Sequence, residues 1–366
     1  MNCDDLATRV NARRRKGDNG HAADLDYASR CADPEPKAGE VRIRVEASGI
    51  NFADLLGRMG IYPDLPPIPV VPGYEVSGRI DAVGAGVDGI WAGRDVIAMT
   101  RFGGYADTVC VPATQVFARP AGVSALEGAA VPVNYFTAWL LVVVMGGLKG
   151  NETVLVHSVG GGVGIAATQI AKHLGARVIG TASASKHAEL RALGVDHLID
   201  YQTEDFETRV REITNGRGVE LILDALGGDS WKKGYRILAP TGRLGMFGIS
   251  AAADRKERNI LAMLSMLAKT PWFQFNPISL MNANKGVFGV NPGHLWGELD
   301  RIREWADRLF DLWAQGVIKP KIARSFGFDE APQAHHFIQD RRNIGKVLAG
   351  PVKPLRMNCC VSARSP

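Results

Sequence analysis

Hydrophobic and polar positions follow two different periods along this chain, and the change falls near residue 134. From Glu40, the stretch EVRIRVEASGIN alternates apolar and polar residues, as a half-buried strand does. Glycine- and proline-rich turns and further short strands, such as RDVIAM and YADTVCVP, come after it. Residues 1–32 have no clean period. The pattern therefore predicts a loose or atypical N-terminus followed by a β-rich region over 33–133.

From residue 134 to residue 291, segments with the helical period alternate with short apolar strands. The strands are TVLVHS, RVIGTA, HLID, VELILDAL, GRLGMFG and GVFGV. Six strands alternating with helices are typical of an α/β doubly wound parallel sheet, the Rossmann fold. A helix near 295–315 and a strand–helix–strand pattern come next. We expect this last piece, 292–353, to rejoin the β-rich domain and to leave 354–366 as a tail.

A run of glycines stands where the first of these strands turns into a helix. In VLVHSVGGGVG they are Gly160, Gly161, Gly162 and Gly164. Glycine permits the tight turn and the close approach of a pyrophosphate, which then meets the free N–H groups of the helix N-terminus. A plain tight turn is the alternative, but the strand–turn–helix–strand context favours a dinucleotide site.

The second strand of this unit lacks the usual acid at its end. An NAD site normally has Asp or Glu there to bind the ribose hydroxyls. This chain has Ser183, Ser185 and Lys186 instead. Hydroxyls and an ammonium suit a 2′-phosphate, which a carboxylate would repel, so the sequence predicts NADPH. In the alternative interpretation, Lys186 is an ordinary solvated residue.

Composition and charge exclude several other classes of protein. The net charge is only +5, and the basic run Arg13–Lys16 has no interleaved aromatic residues, so we expect no nucleic-acid partner. Five cysteines without a Cys-x-x-Cys pair argue against a disulfide framework and favour the cytoplasm. The apolar run 138–148 is too short to cross a bilayer and is expected to be a buried helix.

From Pro34 to Pro351 the chain resembles the zinc-independent quinone oxidoreductases of the medium-chain dehydrogenase/reductase superfamily, most nearly the branch of the vesicle amine transport protein homologues. The resembling segments are ASGINFADLLGRMGIYP, PPIPVVPGYEVSGRIDAVGAGV, TRFGGYADTVCVP, ALEGAAVPVNYFTAWL, HSVGGGVG, NPISLMNANKGVFGVNPGHL and RRNIGKVLAGP. The resemblance implies a GroES-like catalytic domain beside the Rossmann domain. It also implies a homodimer that forms through the sixth strand of the Rossmann sheet.

The resemblance also implies which residues act on the substrate. Asn51 and Tyr74 stand about where zinc-using relatives have a cysteine and a histidine, so we expect no metal. Asn51 and Tyr62 match polar residues of the quinone cleft and are the predicted catalytic residues, although Tyr62 is equally interpretable as a lid aromatic. Asp54 is expected to be structural, and Leu56 replaces a tyrosine that some members have.

The cofactor contacts implied by the resemblance are spread over the whole nucleotide domain and the C-terminal segment. They are Thr137 and, after later strands, Gly248, Phe288 and Val290 for the nicotinamide; Gly161, Gly162, Val163 and Gly164 for the pyrophosphate; Ser183, Lys186 and Tyr201 for the 2′-phosphate; and Asn343 and Lys346, in a tail that folds back toward the cofactor.

The activity implied is an NADPH-dependent reduction of a quinone or an α,β-unsaturated carbonyl compound by hydride transfer. Two alternatives remain open: a nucleotide-sensing or membrane-associated protein with little turnover, and a zinc-independent alcohol or carbonyl dehydrogenase. Segment 251–283 is expected to be a packed helix and loop. In alternative interpretations it caps the cleft, makes a peripheral membrane contact or forms part of the dimer.

Overall fold

The structure is a computed structural model that describes residues 6–12, 25–60, 62–67, 69–253 and 275–351. Its strands, in chain order, are β1 Leu6–Ala12, β2 Leu25–Ala32, β3 Glu40–Ile50, β4 Glu75–Val83, β5 Asp95–Met99, β6 Thr108–Pro112, β7 Val116–Ala118, β8 Thr153–Val156, β9 Arg177–Ala182, β10 His197–Asp200, β11 Val219–Asp224, β12 Leu238–Met246, β13 Gly286–Gly289, β14 Ile322–Gly327 and β15 Lys346–Gly350. Its helices are α1 Phe52–Arg58, α2 Ala125–Ala129, α3 Pro132–Trp139, α4 Gly162–His173, α5 His187–Ala192, α6 Phe206–Ile213, α7 Asp229–Arg236, α8 Pro277–Ala283, α9 Leu299–Ala314 and α10 Ala331–Gln339.

The nucleotide domain contains the parallel sheet that the sequence predicts. Its strand order is β10-β9-β8-β11-β12-β13, and every neighbouring pair is parallel. All six residues of β11 are buried, with Leu221 and Leu223 in the core on one face and Ile222 in the core on the other. The prediction of a doubly wound sheet is confirmed. Ligands of such sheets bind at the carboxyl ends of the strands, where the strand order reverses between β8 and β11.

The second domain is built on a mostly antiparallel sheet in the order β14-β15-β3-β4-β5-β7, with β6 paired to β3. The C-terminal strand β15 runs antiparallel to β3, where Val347 pairs with Ile50. The last part of the chain therefore returns to the β-rich domain, as its pattern indicates, and it brings the RRNIGK segment back to the nucleotide sheet. The exact domain boundaries stay a prediction.

The prediction of a loose N-terminus is wrong for two segments. Strands β1 and β2 pair antiparallel, with Leu6 opposite Ala32 and Ala12 opposite Leu25. Leu25 is buried in the core of the β-rich domain, alongside Val41 and Ile43. Charged and polar residues break the apolar alternation of these segments, so their period does not identify them as strands. The basic run Arg13–Lys16 lies outside the described residues.

The apolar run 138–148 is helical and largely buried as far as Val144, as predicted, and then turns at Met145, which is exposed. Helix α3 continues into a π-helical turn at Leu140–Val144, where Leu141 and Val142 are fully buried. Across the described part of the chain, no helix is both long and apolar enough to cross a membrane. Most of segment 251–283 lies outside the described residues, and its described end contains α8.

Candidate active site

A cleft of about 1750 Å³ lies between the two domains, at the carboxyl ends of the parallel strands. A typical small-ligand pocket has a volume of roughly 300–1,000 Å³, so this cleft has room for a dinucleotide and a second molecule. It is lined by every predicted site residue except Phe288: Asn51, Tyr62, Thr137, Gly161, Gly162, Val163, Gly164, Ser183, Lys186, Tyr201, Gly248, Val290, Asn343 and Lys346.

Phe288 differs because its side chain points into the protein. Its ring packs beside Gly245 and Leu141, where a Cβ at position 245 would lie 2.6 Å from the ring. Alternate residues of a strand face opposite sides of the sheet, so only the strand end, at Gly289 and Val290, reaches the cleft. Phe288 therefore does not line the cleft, and its contact with a nicotinamide stays a prediction.

The glycine turn joins β8 to the N-terminus of α4, where Gly161 is the N-cap residue. A Cβ at position 164 would lie 2.6 Å from the carbonyl oxygen of Val159, so only glycine fits there. The C-terminal segment holds this turn from the other domain, since Gly345 N–H donates to Gly160 O at 2.9 Å. The turn and the free N–H groups of α4 form the kind of cradle that binds a pyrophosphate.

Beyond this turn, the cleft leads to a basic pocket after β9. The pocket is lined by Ser183, Ser185, Lys186, Tyr201, Gln202, Gln339, Asp340, Arg341, Arg342 and Ile344. Lys186 Nζ donates to the backbone oxygen of Asn343 at 2.6 Å, and the Arg341 guanidinium lies 5.2 Å from the centroid of the Tyr201 ring. Burial lowers the pKa of Lys186, and the charge of Arg341 lowers it further. The pocket thus concentrates positive charge where an anion would bind.

The opposite end of the cleft contains the predicted catalytic residues. Asn51 is buried at the junction of β3 and α1, and Tyr62 is half-buried. The Tyr62 ring stands edge-on to that of Tyr74, with centroids 6.1 Å apart. Burial raises the pKa of both phenols, most strongly for Tyr74, so both are neutral hydrogen-bonding groups near neutral pH.

Lys346 lines the cleft, but its ammonium group points to the substrate end. It donates to Asn51 Oδ1 at 2.5 Å and forms a short ion pair with Glu75 Oε1. Glu75 Oε1 also accepts from Asn51 Nδ2 at 2.8 Å, and Glu75 Oε2 accepts from Val133 N–H at 2.7 Å. The structure therefore places Lys346 in a buried polar triad with Asn51 and Glu75. A direct cofactor contact from its ammonium stays a prediction.

Asp54 has the structural role expected from the sequence. Its carboxylate accepts from the backbone N–H of Asn51 at 2.8 Å and from that of Gly73 at 3.0 Å. It thereby joins the start of α1 to the loop before β4. Full burial raises its pKa from the usual 3.8 to about 7, and the two backbone N–H donors oppose that rise.

The described residues contain no group of three or more His, Cys, Asp or Glu side chains that could hold a metal ion. His157 lies under the cleft with its Nδ1 3.2 Å from the Thr181 hydroxyl, and burial lowers its pKa. His335 is buried in the other domain, 3.1 Å from the Tyr105 hydroxyl. Both are core histidines within polar networks.

Two further residues of this site are not predicted from the sequence. Arg341 lines the cleft, whereas Glu75 is fully buried and contacts Asn51 and Lys346. They lie within the motifs RRNIGK and PGYE. Glu75 begins an apolar strand, and the sequence around it shows no set of metal ligands to which its carboxylate could belong. This combination could have indicated a buried ion pair. The partner of Glu75, Lys346, is 271 residues away, and no local pattern reveals that pairing.

The fold and this cleft define a medium-chain dehydrogenase/reductase. The model for the alcohol dehydrogenase GroES-like domain matches residues 37–121, and the model for zinc-binding dehydrogenases matches residues 162–276. The synaptic vesicle membrane protein VAT-1 homolog of Rattus norvegicus is 41% identical over 321 residues, which cover 87% of this chain and 78% of that protein. The chain belongs to this superfamily, in the family of the quinone oxidoreductases and VAT-1 homologues.

Solved structures of similar proteins agree with this assignment. Escherichia coli quinone oxidoreductase complexed with NADPH superposes with a TM-score of 0.81 at 28% identity, covering 94% of this chain and 100% of that one. The CurK enoyl reductase superposes with a TM-score of 0.79 at 26% identity, covering 95% and 100%. The matching family model carries the description "zinc-binding dehydrogenase", although the described residues of this chain contain no group of three or more side chains that could hold a zinc ion.

Proposed function

We propose that this protein is an NADPH-dependent, zinc-independent reductase of quinones or α,β-unsaturated carbonyl compounds. The observation that carries the proposal is one continuous cleft with a basic pocket at one end and a buried amide donor at the other. The basic pocket suits a 2′-phosphate, and the amide suits an oxygen that gains negative charge during reduction. Related proteins bind NADPH or are enoyl reductases, which supports the same interpretation.

The residues of the cleft fit the cofactor on structural grounds. Position 164 admits only glycine because the start of α4 packs closely on the backbone of Val159, as the last glycine of a dinucleotide-binding turn does. Lys186, Arg341 and the Ser183 hydroxyl surround the position that the acid of an NAD site would occupy. When bound, NADPH would supply a hydride to the substrate carbon.

The protein's own contribution is orientation, exclusion of water and stabilisation of charge. Apolar side chains, including Phe52, Leu56, Met99 and Trp296, line the substrate end of the cleft, so a planar apolar substrate would be desolvated there. Hydride addition to an enone or a quinone leaves the charge on oxygen. The amide of Asn51 would donate to that oxygen, and the hydroxyl of Tyr62 is the second available donor.

Steady-state kinetics with a panel of quinones and enones tests this proposal. Each compound is assayed with NADPH and with NADH, and the loss of reduced nicotinamide absorbance is recorded. The proposal requires turnover that prefers NADPH. Tight NADPH binding without turnover of any compound would instead favour the alternative of a nucleotide-sensing or membrane-associated protein with little turnover.

A further inference from the structure

The buried triad of Asn51, Glu75 and Lys346 fixes the orientation of one amide. Lys346 has only ammonium donors, and Glu75 has only carboxylate acceptors. Asn51 presents Oδ1 to the ammonium at 2.5 Å and Nδ2 to the carboxylate at 2.8 Å. The flipped amide would face donor with donor and acceptor with acceptor, so the charged pair permits only one orientation.

This orientation leaves the second N–H of Asn51 only weakly bonded. Nδ2 donates to Glu75 Oε1 at 2.8 Å, and its second contact is a long one to the Gly49 carbonyl oxygen at 3.5 Å, the limit of a hydrogen bond. Asn51, Tyr62 and Thr137 all line the cleft. A substrate oxygen in the cleft can therefore accept the second N–H without displacing either charged partner.

Several elements of the fold contact the Glu75–Lys346 ion pair and fix its position. Glu75 begins β4 and Lys346 begins β15, and their side chains are 0% and 3% exposed. The second carboxylate oxygen of Glu75 is bound by the Val133 N–H in the first turn of α3. A side chain at Gly49 would overlap the Glu75 carboxylate. Four elements thus meet at a carboxylate that contacts no other cation among the described residues.

We propose that the Glu75–Lys346 ion pair positions the amide of Asn51, and that the ammonium of Lys346 polarises it, so that the weakly bonded second N–H stabilises the substrate oxygen. The ammonium withdraws electron density through Oδ1, which strengthens Nδ2–H as a donor, and such chains of hydrogen bonds reinforce one another at low dielectric. Glu75 and Lys346 act here as positioning residues. This inference rests on the proposed reductase function.

A double-mutant cycle between Asn51→Ala and Lys346→Met tests the inference, with kcat, KM and the Kd of NADPH measured for each variant. Loss of one donor to a developing oxyanion typically lowers kcat by about a hundredfold. We expect Lys346→Met to lower kcat on that scale while the Kd of NADPH is unchanged. The double variant should be no slower than Asn51→Ala, because both changes remove the same interaction.

Two further variants separate positioning from folding and from surface charge. Lys346→Met leaves a buried carboxylate without its cation, so the charge-neutral pair Glu75→Gln with Lys346→Met is made in parallel and should fold. It too should lose kcat and keep the Kd of NADPH. The matched control is Lys321→Met, which removes a lysine from an exposed ion pair with Glu189 and should change neither constant.

The outcomes distinguish this inference from the proposed function. A wild-type protein that reduces no compound overturns the proposed function and this inference with it. An active wild type whose Lys346→Met and Glu75→Gln/Lys346→Met variants keep full kcat overturns the inference alone. A raised Kd for NADPH with unchanged kcat would also overturn it and would make Lys346 a cofactor contact.

Discussion

Lys186 Nζ donates a hydrogen bond of 2.6 Å to the backbone oxygen of Asn343, and this contact joins the basic pocket of the nucleotide domain to the C-terminal segment of the other domain. The ammonium is therefore held in place before any anion arrives. Nearby Arg341 adds a second positive charge to the same pocket. A pre-positioned ammonium loses little conformational freedom on binding, which favours tight recognition of a phosphate.

Replacement of Lys186 by methionine should weaken the binding of NADPH selectively. A hydrogen bond to a charged group contributes roughly 1.5–3 kcal/mol, so we expect the Kd of NADPH to rise by about 10- to 100-fold. NADH has no 2′-phosphate, and its Kd should stay nearly constant. Fluorescence titration measures the Kd of both nucleotides. Lys149→Met, at an exposed site before β8, is the control and should change neither Kd. An equal loss of affinity for both nucleotides in Lys186→Met would contradict the phosphate site.

Gly164→Ala should damage both the turn and the cofactor site. The added Cβ would lie 2.6–2.7 Å from backbone atoms of Val159, which cannot move without shifting the turn. Overpacking of this kind costs about 1–3 kcal/mol. Urea unfolding and NADPH titration measure the two effects. Gly89→Ala is the control because a Cβ there meets nothing within 4 Å. If Gly164→Ala and Gly89→Ala behaved alike, the close approach would be wrong.

Asp54 should make stability depend on pH in an unusual direction for a carboxylate. Its pKa is raised to about 7 in the folded protein against about 3.8 in an unfolded chain, because burial disfavours the charged form. The folded state therefore binds a proton at Asp54 more tightly than the unfolded chain does. The contribution of this proton to the free energy of unfolding is fully present below pH 3.8 and is lost as the pH rises through about 7.

Asp54→Asn removes that titration but also replaces one of two backbone acceptors with a donor. We expect the variant to be less stable than the wild type, by a margin that shrinks as the pH rises toward neutrality. Urea unfolding of both proteins, from acidic pH up to neutrality, measures the difference between their free energies of unfolding. A margin that stayed constant or grew would show that Asp54 does not carry the proton.

The family resemblance implies a homodimer, and we propose that it forms at the edge of the parallel sheet. Strand β13 is the last strand of this sheet in the described chain, and α8 beside it exposes Ile278 and Met281, which are 66% and 68% accessible. Edge strands and exposed apolar side chains of this kind favour a partner. Met281→Asp should therefore shift the protein toward a monomer in sedimentation velocity. A wild-type monomer at all concentrations would contradict the proposed dimer.

The sequence predicted the nucleotide domain well because its signals are local. Strands such as β11 are short, largely apolar and buried along their whole length, and the glycines of the turn act within a few residues of each other. The triad could not be predicted in this way. Asn51, Glu75 and Lys346 come from three separate strands or strand ends, and the antiparallel pairing of β3 with both β15 and β4 brings them together.

The sequence does not predict the N-terminal strands or the inward direction of the Phe288 ring, for different physical reasons. Polar residues interrupt the alternation of β1 and β2, so their pairing depends on tertiary contacts such as those of Leu25. Phe288 lies on a short strand whose residues alternate between faces, and its position in the chain alone does not decide which face its ring occupies.

Hydride transfer to an enone is the central claim, and an isotope label tests it most directly. The protein is incubated with an enone and NADPH carrying deuterium at the transferable position of the nicotinamide, and the product is analysed by mass spectrometry and NMR. We expect one deuterium at the β-carbon of the product, with unlabelled hydrogen from water at the α-carbon. A reduced product without deuterium would contradict hydride transfer, and so would a protein that binds NADPH tightly but reduces neither enones nor quinones.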